Sequence, residues 1–220
     1  MVGAIFIGTF LPLVLLLLLL RHSRPVFSCF CWGMLAFLIV YLTSPTLYRI
    51  LGIENVLSIT AVYAGPPYEE LLKAMPLLVA AIISRQSIIP FYYILGMSSG
   101  IGFAIEENLN FLAEFHSKPG ESMALMTLRS FSTCLMHGVC TGFIGFTLAL
   151  ARRDPTWKRN IFPVAGWIVA TIYHGFFNWL MINSFLVIGV IVAMAIFLIF
   201  FGWMKNEENR AKETEGTIWQ

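Results

Sequence analysis

Long apolar stretches with almost no charge constrain the fold of this chain more than any other feature. Seven can be drawn, at about 3–20, 26–43, 66–84, 88–112, 124–151, 161–181 and 184–203. Each is long enough for an α-helix to cross a bilayer, which needs about 20 residues with a lower limit of about 17. The charged fraction is only 12%, against about 25% in soluble domains. We therefore expect an all-α, polytopic membrane bundle of about seven transmembrane helices.

Two of these segments need separate interpretation. Residues 3–20 follow no basic region and precede no small-residue cleavage site, so we interpret them as a retained helix rather than a signal peptide. In the third segment, Pro66 and Pro67 interrupt an apolar run that already begins near residue 56. The sequence leaves open whether this helix begins at the prolines or is kinked there.

The basic residues are divided unequally between the two sides of the predicted bundle. When successive connections are assigned to alternate sides, ten Lys and Arg residues fall on one side and two on the other. Cytoplasmic loops carry the excess of basic residues, so we expect the amino terminus outside and the carboxyl terminus in the cytoplasm. The ten are Arg21, Arg24, Arg85, Arg152, Arg153, Lys158, Arg159, Lys205, Arg210 and Lys212, and the two are Arg49 and Lys118.

This distribution predicts a single transmembrane domain over residues 1–204 and a charged cytoplasmic tail over 205–220. We expect a multi-pass protein of the cell membrane, with the lipid bilayer as its surroundings. The formal net charge of +2 gives no sign of a nucleic-acid partner. The sequence does not indicate an oligomeric state.

Eight ionisable residues remain inside the apolar segments. A charge at the centre of a membrane helix costs about 2.5–3.5 kcal/mol on insertion scales, so such residues usually face a cavity or a partner. A rise of about 1.5 Å per residue along alternating helices places all of them near the middle or in the outer half. This common depth predicts one hydrated pocket that opens outward. The eight are Glu69, Glu70, Lys73, Glu106, Glu107, Arg129, His137 and His174.

The spacing of Glu69, Glu70 and Lys73 brings one cation close to two carboxylates. The lysine is four residues after the first and three after the second, so all three meet within one helical turn. If the helix begins at the prolines, its positive end also favours ionised carboxylates. The arrangement predicts a general base or two acids that share a proton; the alternative is an ion pair that only seals a helix end.

The fourth segment carries small residues beside two further acids. Gly96, Gly100 and Ala104 are four residues apart and form a stripe that lets helices approach closely. Glu107 lies close to the angle of this stripe and therefore faces the interior. Glu106 is turned about 100° away, and we expect it to have no catalytic role.

The fifth and sixth segments each carry one histidine. His174 and Asn178 share a helix face, so this donor pair could stabilise an oxyanion, bind a metal or join two helices. His137 could be catalytic or a hydrogen-bonded core residue. Arg129 could extend to the membrane interface or bind a carboxylate or carbonyl of a substrate.

Taken in order, these motifs resemble those of the PrsW family of intramembrane proteases, within the wider group that includes the CAAX prenyl proteases and bacterial immunity proteins. They span residues 69–178, and one departure is Ala104, since glycine usually follows the phenylalanine in PrsW proteins. The motifs are Glu69-Glu70-x-x-Lys73, Phe103-x-x-x-Glu107-Asn108, His137 with Gly142, and His174-x-x-x-Asn178.

The resemblance implies peptide hydrolysis within the membrane by a glutamate-activated water, without a cofactor. In PrsW proteins the substrate is a membrane-anchored anti-sigma factor, which is cut near its extracytoplasmic side. The partner implied here is a membrane-anchored protein or peptide.

We assign a role to each residue on this basis. Glu69 is the expected general base, and Glu70 is expected to hold a shared proton or position water. The other expected catalytic residues are Glu107 and His137, which would position water or assist proton transfer, and His174 and Asn178, which would stabilise the oxyanion. Residues expected to tune the site or bind substrate are Lys73, Arg129 and Asn108.

Three alternatives stay open. Zinc could be bound by His137, His174 and Glu107, which form an acceptable ligand set although the chain has no HExxH motif. Intramembrane acids and histidines also occur in proton-coupled transporters, but two matching halves are not evident. A scaffold or immunity protein could bind a peptide without cutting it.

Overall fold

The computed structural model of the protein describes residues 24–53, 60–83, 88–114, 119–153 and 156–218, together with Val14. Every regular element within these ranges is helical. Six of the seven predicted segments correspond to the helices, and the first, 3–20, lies outside the described residues apart from Val14. The helices are α1 (Arg24–Ile50), α2 (Gly65–Ile83), α3 (Ile89–Glu114), α4 (Pro119–Arg153), α5 (Lys158–Ile182) and α6 (Leu186–Ile218).

Four segments of these helices are long and apolar enough to cross a membrane: Arg24–Ile50, Thr127–Arg153, Arg159–Ile182 and Leu186–Asn206. They confirm the expectation of an all-α, multi-pass membrane protein. Among the described helices, α2 and α3 do not meet this criterion. These two helices carry the four glutamates that lie inside the apolar segments of the sequence. The total of seven helices and the orientation of the termini remain predictions.

The structure resolves the question of where the third segment becomes helical. A π-helical turn, Thr60–Ala64, leads directly into α2, which begins at Gly65. Pro66 and Pro67 therefore lie in the first turn of α2, a position at which proline is common. At the other end of the chain, α6 continues to Ile218, so the charged segment begins inside a helix.

The fourth helix, α4, lies at the centre of the bundle. In the 18-residue apolar stretch of its membrane-spanning segment 83% of the residues are buried, compared with 11% in the corresponding stretch of α6. The glycine stripe of α3 lets the backbones of α3 and α4 approach each other closely. A Cβ on Gly96 would lie 2.8 Å from the Cα of Gly142, and one on Gly100 would lie 2.8 Å from the backbone nitrogen of Gly138. The predicted close approach of helices at this stripe is thus present between α3 and α4.

We predict that Gly100→Ala destabilises the protein by about 1–3 kcal/mol, because the added methyl group would overlap the backbone carbonyl of His137. Thermal unfolding in detergent, followed by circular dichroism, measures the effect. Gly202→Ala is the matched control, since a Cβ there has no neighbour within 4 Å. Equal unfolding temperatures for Gly100→Ala and the unmodified protein would contradict this packing of α3 on α4.

Candidate active site

A fully buried ion pair lies at the centre of the site. Glu70 and Lys73 are one helical turn apart on α2, and both side chains have an exposure of 0%. The Nζ of Lys73 is 2.7 Å from the Oε1 of Glu70. A buried charge pair is tolerated only when further hydrogen bonds satisfy both partners.

Neighbouring helices provide those hydrogen bonds for Glu70. Its Oε1 is 2.9 Å from the Nδ1 of His174 on α5, and its Oε2 accepts a 3.1 Å hydrogen bond from the hydroxyl of Thr141 on α4. Lys73 adds a cation–π contact, since its Nζ lies 4.6 Å from the centre of the Phe103 ring on α3. The ion pair therefore connects four helices.

The neighbours of His137 determine which of its ring nitrogens carries the proton. The Nζ of Lys73 is 2.7 Å from Nδ1, and an ammonium group can only donate, so Nδ1 accepts. The Nε2 of His137 then donates to the Oε2 of Glu107, 2.9 Å away. The Oε1 of Glu107 is 3.7 Å from a guanidinium nitrogen of Arg129. A connected polar chain thus runs from Lys73 to Arg129.

His174 has the opposite arrangement. Its Nδ1 donates to the carboxylate of Glu70, which leaves Nε2 facing the Oε2 of Glu69 at 3.7 Å. The side chain of Glu69 is 17% exposed, whereas that of His174 is 1% exposed. The ring of His137 stands edge-on to that of His174, with centroids 4.8 Å apart. Glu69 is therefore one of two partly exposed carboxylates at the buried cluster, the other being Glu107 with an exposed fraction of 32%.

The distribution of charge sets Glu69 apart from the other acids. Lys73 neutralises Glu70, and Arg129 lies beside Glu107. Among the ion pairs that the structure describes, Glu69 takes part in one, with His174. The negative charge that remains is that of Glu69, and one added proton, on Glu69 or on His174, balances it. This pair is suited to take up and release a proton.

The other residues expected at the site lie at its edge or outside it. Asn108 is buried between α3 and α4, where it accepts from Thr133 at 3.1 Å and donates to the Sγ of Cys134 at 3.7 Å. Its described contacts thus join two helices and do not include the carboxylates. Asn178 is half-buried, one turn beyond His174 on α5.

Arg129 contacts an aromatic ring as well as Glu107. The centre of its guanidinium lies 4.0 Å from the centre of the Phe111 ring on α3. With an exposed fraction of 15%, the side chain is held within the bundle rather than extended toward the membrane interface. It remains beside the one acid of α3 that contacts His137.

Two contacts were not anticipated from the sequence, those of Thr141 with Glu70 and of Phe103 with Lys73. Thr141 follows His137 by four residues, so a search for hydroxyls one turn from each histidine would have found it. No comparable pattern indicates that Phe103 packs over an ammonium group.

The arrangement also meets the first requirements of a metal site. Glu69, His137 and His174 each offer one ligand atom, and these atoms lie within 4.8 Å of one another. Two histidines and one glutamate form an established catalytic zinc set. The Nδ1 contact of His174 with Glu70 is of the kind that orients metal-binding histidines. The donors therefore fit zinc in type and spacing, with Glu69 in the place that the sequence analysis assigned to Glu107.

A comparison with models of known protein families identifies one family for this chain. The family model described as "PrsW family intramembrane metalloprotease" matches residues 22–204. The chain belongs to the PrsW family. The match confirms the resemblance inferred from the four motifs, and it covers every residue of the cluster. No curated protein and no solved structure matches the chain.

We predict that Lys73→Met lowers the free energy of unfolding by about 3–5 kcal/mol, because it leaves the buried carboxylate of Glu70 without its cation. The double variant Glu70→Gln/Lys73→Met removes both charges and should recover part of the loss. Unfolding of the single and double variants in detergent provides the measurement. A double variant less stable than Lys73→Met would show that the two charges do not stabilise one another.

Proposed function

We propose that this PrsW family member is an intramembrane endopeptidase in which Glu69 activates the hydrolytic water. The observation that carries the proposal is that Glu69 is partly exposed and has only His174 as a described ion partner, whereas Lys73 lies beside Glu70 and Arg129 beside Glu107. A general base must reach water and accept a proton, and Glu69 combines access with a nearby proton partner. The substrate proposed is a membrane-anchored protein.

The reaction begins when Glu69 takes a proton from water. The resulting hydroxide adds to the carbonyl carbon of the scissile peptide bond, and the carbonyl oxygen becomes an oxyanion. When the C–N bond breaks, the proton on Glu69 passes to the leaving amine. Atoms and charge balance across these steps, and no other reactant is needed besides water.

The oxyanion is stabilised by hydrogen-bond donors on α5. His174 donates from Nε2 when it is protonated, since its Nδ1 already donates to the carboxylate of Glu70. Asn178, one turn away, offers a second donor on the same helix face. These donors come from one helix packed within the bundle, so they are held in place before the reaction begins.

In this mechanism Glu70 anchors His174 rather than holding a shared proton. Both of its oxygens accept hydrogen bonds, from Lys73, His174 and Thr141. His137 holds Glu107 beside the site, with an exposed fraction of 32% for that carboxylate. Glu107 is therefore placed to orient water or a substrate amide.

The substrate and location follow from the predicted orientation together with the family. With the amino terminus outside, the cluster lies in the outer half of the membrane, so cleavage occurs near the extracytoplasmic end of a membrane-anchored segment. An anti-sigma factor in the cell membrane is a substrate of this kind. Cleavage can be tested with a set of candidate membrane-anchored proteins before the natural substrate is identified.

A zinc-dependent form of the same peptidase is the second candidate, supported by the Glu69, His137 and His174 group. Zinc at these residues would polarise the scissile carbonyl and lower the pKa of a bound water. The position of Lys73 favours the metal-free form. Its ammonium faces Nδ1 of His137, so Nε2 keeps its proton and has no lone pair to offer.

We predict that Glu69→Gln reduces cleavage by at least about 100-fold, since the amide keeps the shape of the side chain but cannot act as a base. The assay coexpresses candidate single-span membrane proteins and detects a new fragment. Glu106→Gln is the matched control, because this neighbouring intramembrane acid makes none of the described site contacts, and it should cleave normally. Normal cleavage by Glu69→Gln would show that Glu69 is not the general base.

Solute uptake by proteoliposomes without any cleavage would favour the transporter.

We also predict that protein treated with a chelator retains at least about half of its activity, because no step of the glutamate mechanism involves a metal. Metal content is measured by mass spectrometry before and after treatment, with His174→Ala as the ligand-deficient control. Loss of activity that zinc restores, with one zinc per native chain and none in His174→Ala, would establish the metal mechanism instead.

A further inference from the structure

A proline interrupts α2 immediately after the charged cluster. Pro76 lies inside the helix, three residues beyond Lys73. Because proline has no backbone N–H, the carbonyl of Leu72, four residues earlier, loses its helical donor. The proline ring also crowds that carbonyl and favours a bend. The backbone that carries Lys73 is thus left without one of its ordinary hydrogen bonds.

Side chains from two other helices bind the backbone at this point. The indole N–H of Trp32 on α1 donates to the carbonyl of Leu72 at 2.9 Å. The hydroxyl of Ser99 on α3 donates to the carbonyl of Lys73 at 2.8 Å. Trp32 therefore replaces the donor that Pro76 cannot supply.

The close approach of α1 to α3 brings Trp32 to this position. A Cβ on Gly33, the next residue, would lie 2.9 Å from the backbone nitrogen of Phe103. The same Phe103 covers the ammonium group of Lys73 with its ring. The contact between α1 and α3 thus fixes the indole and the aromatic cover of Lys73 together.

The surroundings make this hydrogen bond difficult to replace. Trp32 and Pro76 line an apolar cavity of about 740 Å³ between α1, α2 and α3, together with Cys29, Met75 and Leu95. A carbonyl that loses its donor finds no replacement partner among these apolar side chains. The backbone at Leu72 is then expected to shift toward another donor.

We propose that Trp32 is a positioning residue for the active site, because its indole N–H stands in for the missing N–H of Pro76 and so fixes the ammonium group of Lys73 between Glu70 and His137. The consequence for cleavage rests on the proposed function. The consequence for the geometry does not, because the 2.7 Å contact of Lys73 with His137 is a property of the folded protein.

The decisive comparison uses Trp32→Phe, Pro76→Ala and the double variant. Phenylalanine keeps an aromatic ring but removes the N–H, and alanine at position 76 returns a backbone N–H to the carbonyl of Leu72. We expect Trp32→Phe to lower kcat about ten-fold with little change in KM, since the backbone shifts when the partly buried carbonyl of Leu72 loses its donor. The double variant should recover to within about three-fold of Pro76→Ala. Trp179→Phe, at an exposed tryptophan of α5, controls for loss of an indole and should cleave normally.

A spectroscopic measurement tests the geometry without any substrate. In protein labelled with ¹⁵N-histidine, the His137 ring signals are assigned by their loss in His137→Gln. The Nδ1 signal should shift in Trp32→Phe, return in the double variant and stay unchanged in Trp179→Phe. If the unmodified protein cleaves nothing, the proposed function fails while these signals still decide the positioning role. A double variant no closer to the unmodified protein than Trp32→Phe, in kcat or in the His137 signals, would overturn the proposal. So would a Trp32→Phe variant that loses thermal stability but keeps both kcat and the His137 signals.

Discussion

The buried ion pair of Glu70 and Lys73 is the interaction on which the rest of the structure depends. Two charges removed from water are stable only if each finds several partners, and a single helix cannot provide them. Thr141 on α4 and His174 on α5 bind the carboxylate of Glu70, and His137 binds the ammonium group of Lys73. The pair thus connects side chains from four helices at one point.

The same pair separates the roles of two adjacent glutamates. Glu70 is fully enclosed and accepts hydrogen bonds at both oxygens, so it is suited to a fixed negative charge. Glu69 is turned about 100° around the helix, which gives it partial exposure and only His174 among the described ion partners. The two glutamates thus differ in chemistry because the helix face of Glu70 packs against protein, whereas the face of Glu69 is partly exposed.

Much of this arrangement could be predicted from helical spacing, but the partners across helices could not. The three- and four-residue spacings to Lys73 predicted the local cluster, and the glycine stripe predicted the contact of α3 with α4. Spacing defines the face of a helix on which a residue lies, but it does not identify the neighbouring helix that this face meets. Spacing likewise does not indicate that the described partners of Asn108, which the resemblance assigns to the site, are Thr133 and Cys134.

The backbone of α2 is irregular on both sides of the charged residues. The π-helical turn Thr60–Ala64 precedes them and Pro76 follows. Irregular backbone at membrane depth is tolerated where neighbouring protein satisfies its polar groups. Two tryptophans bind the backbone here. Trp167 on α5 donates to the carbonyl of Pro67 at 3.1 Å, and Trp32 on α1 donates at 2.9 Å to that of Leu72, which Pro76 leaves without its helical donor. The segment that carries the three charges is therefore held at both ends by indole groups, whose single N–H binds the backbone. Such support allows α2 to present ionised side chains inside the bundle without losing its helical geometry.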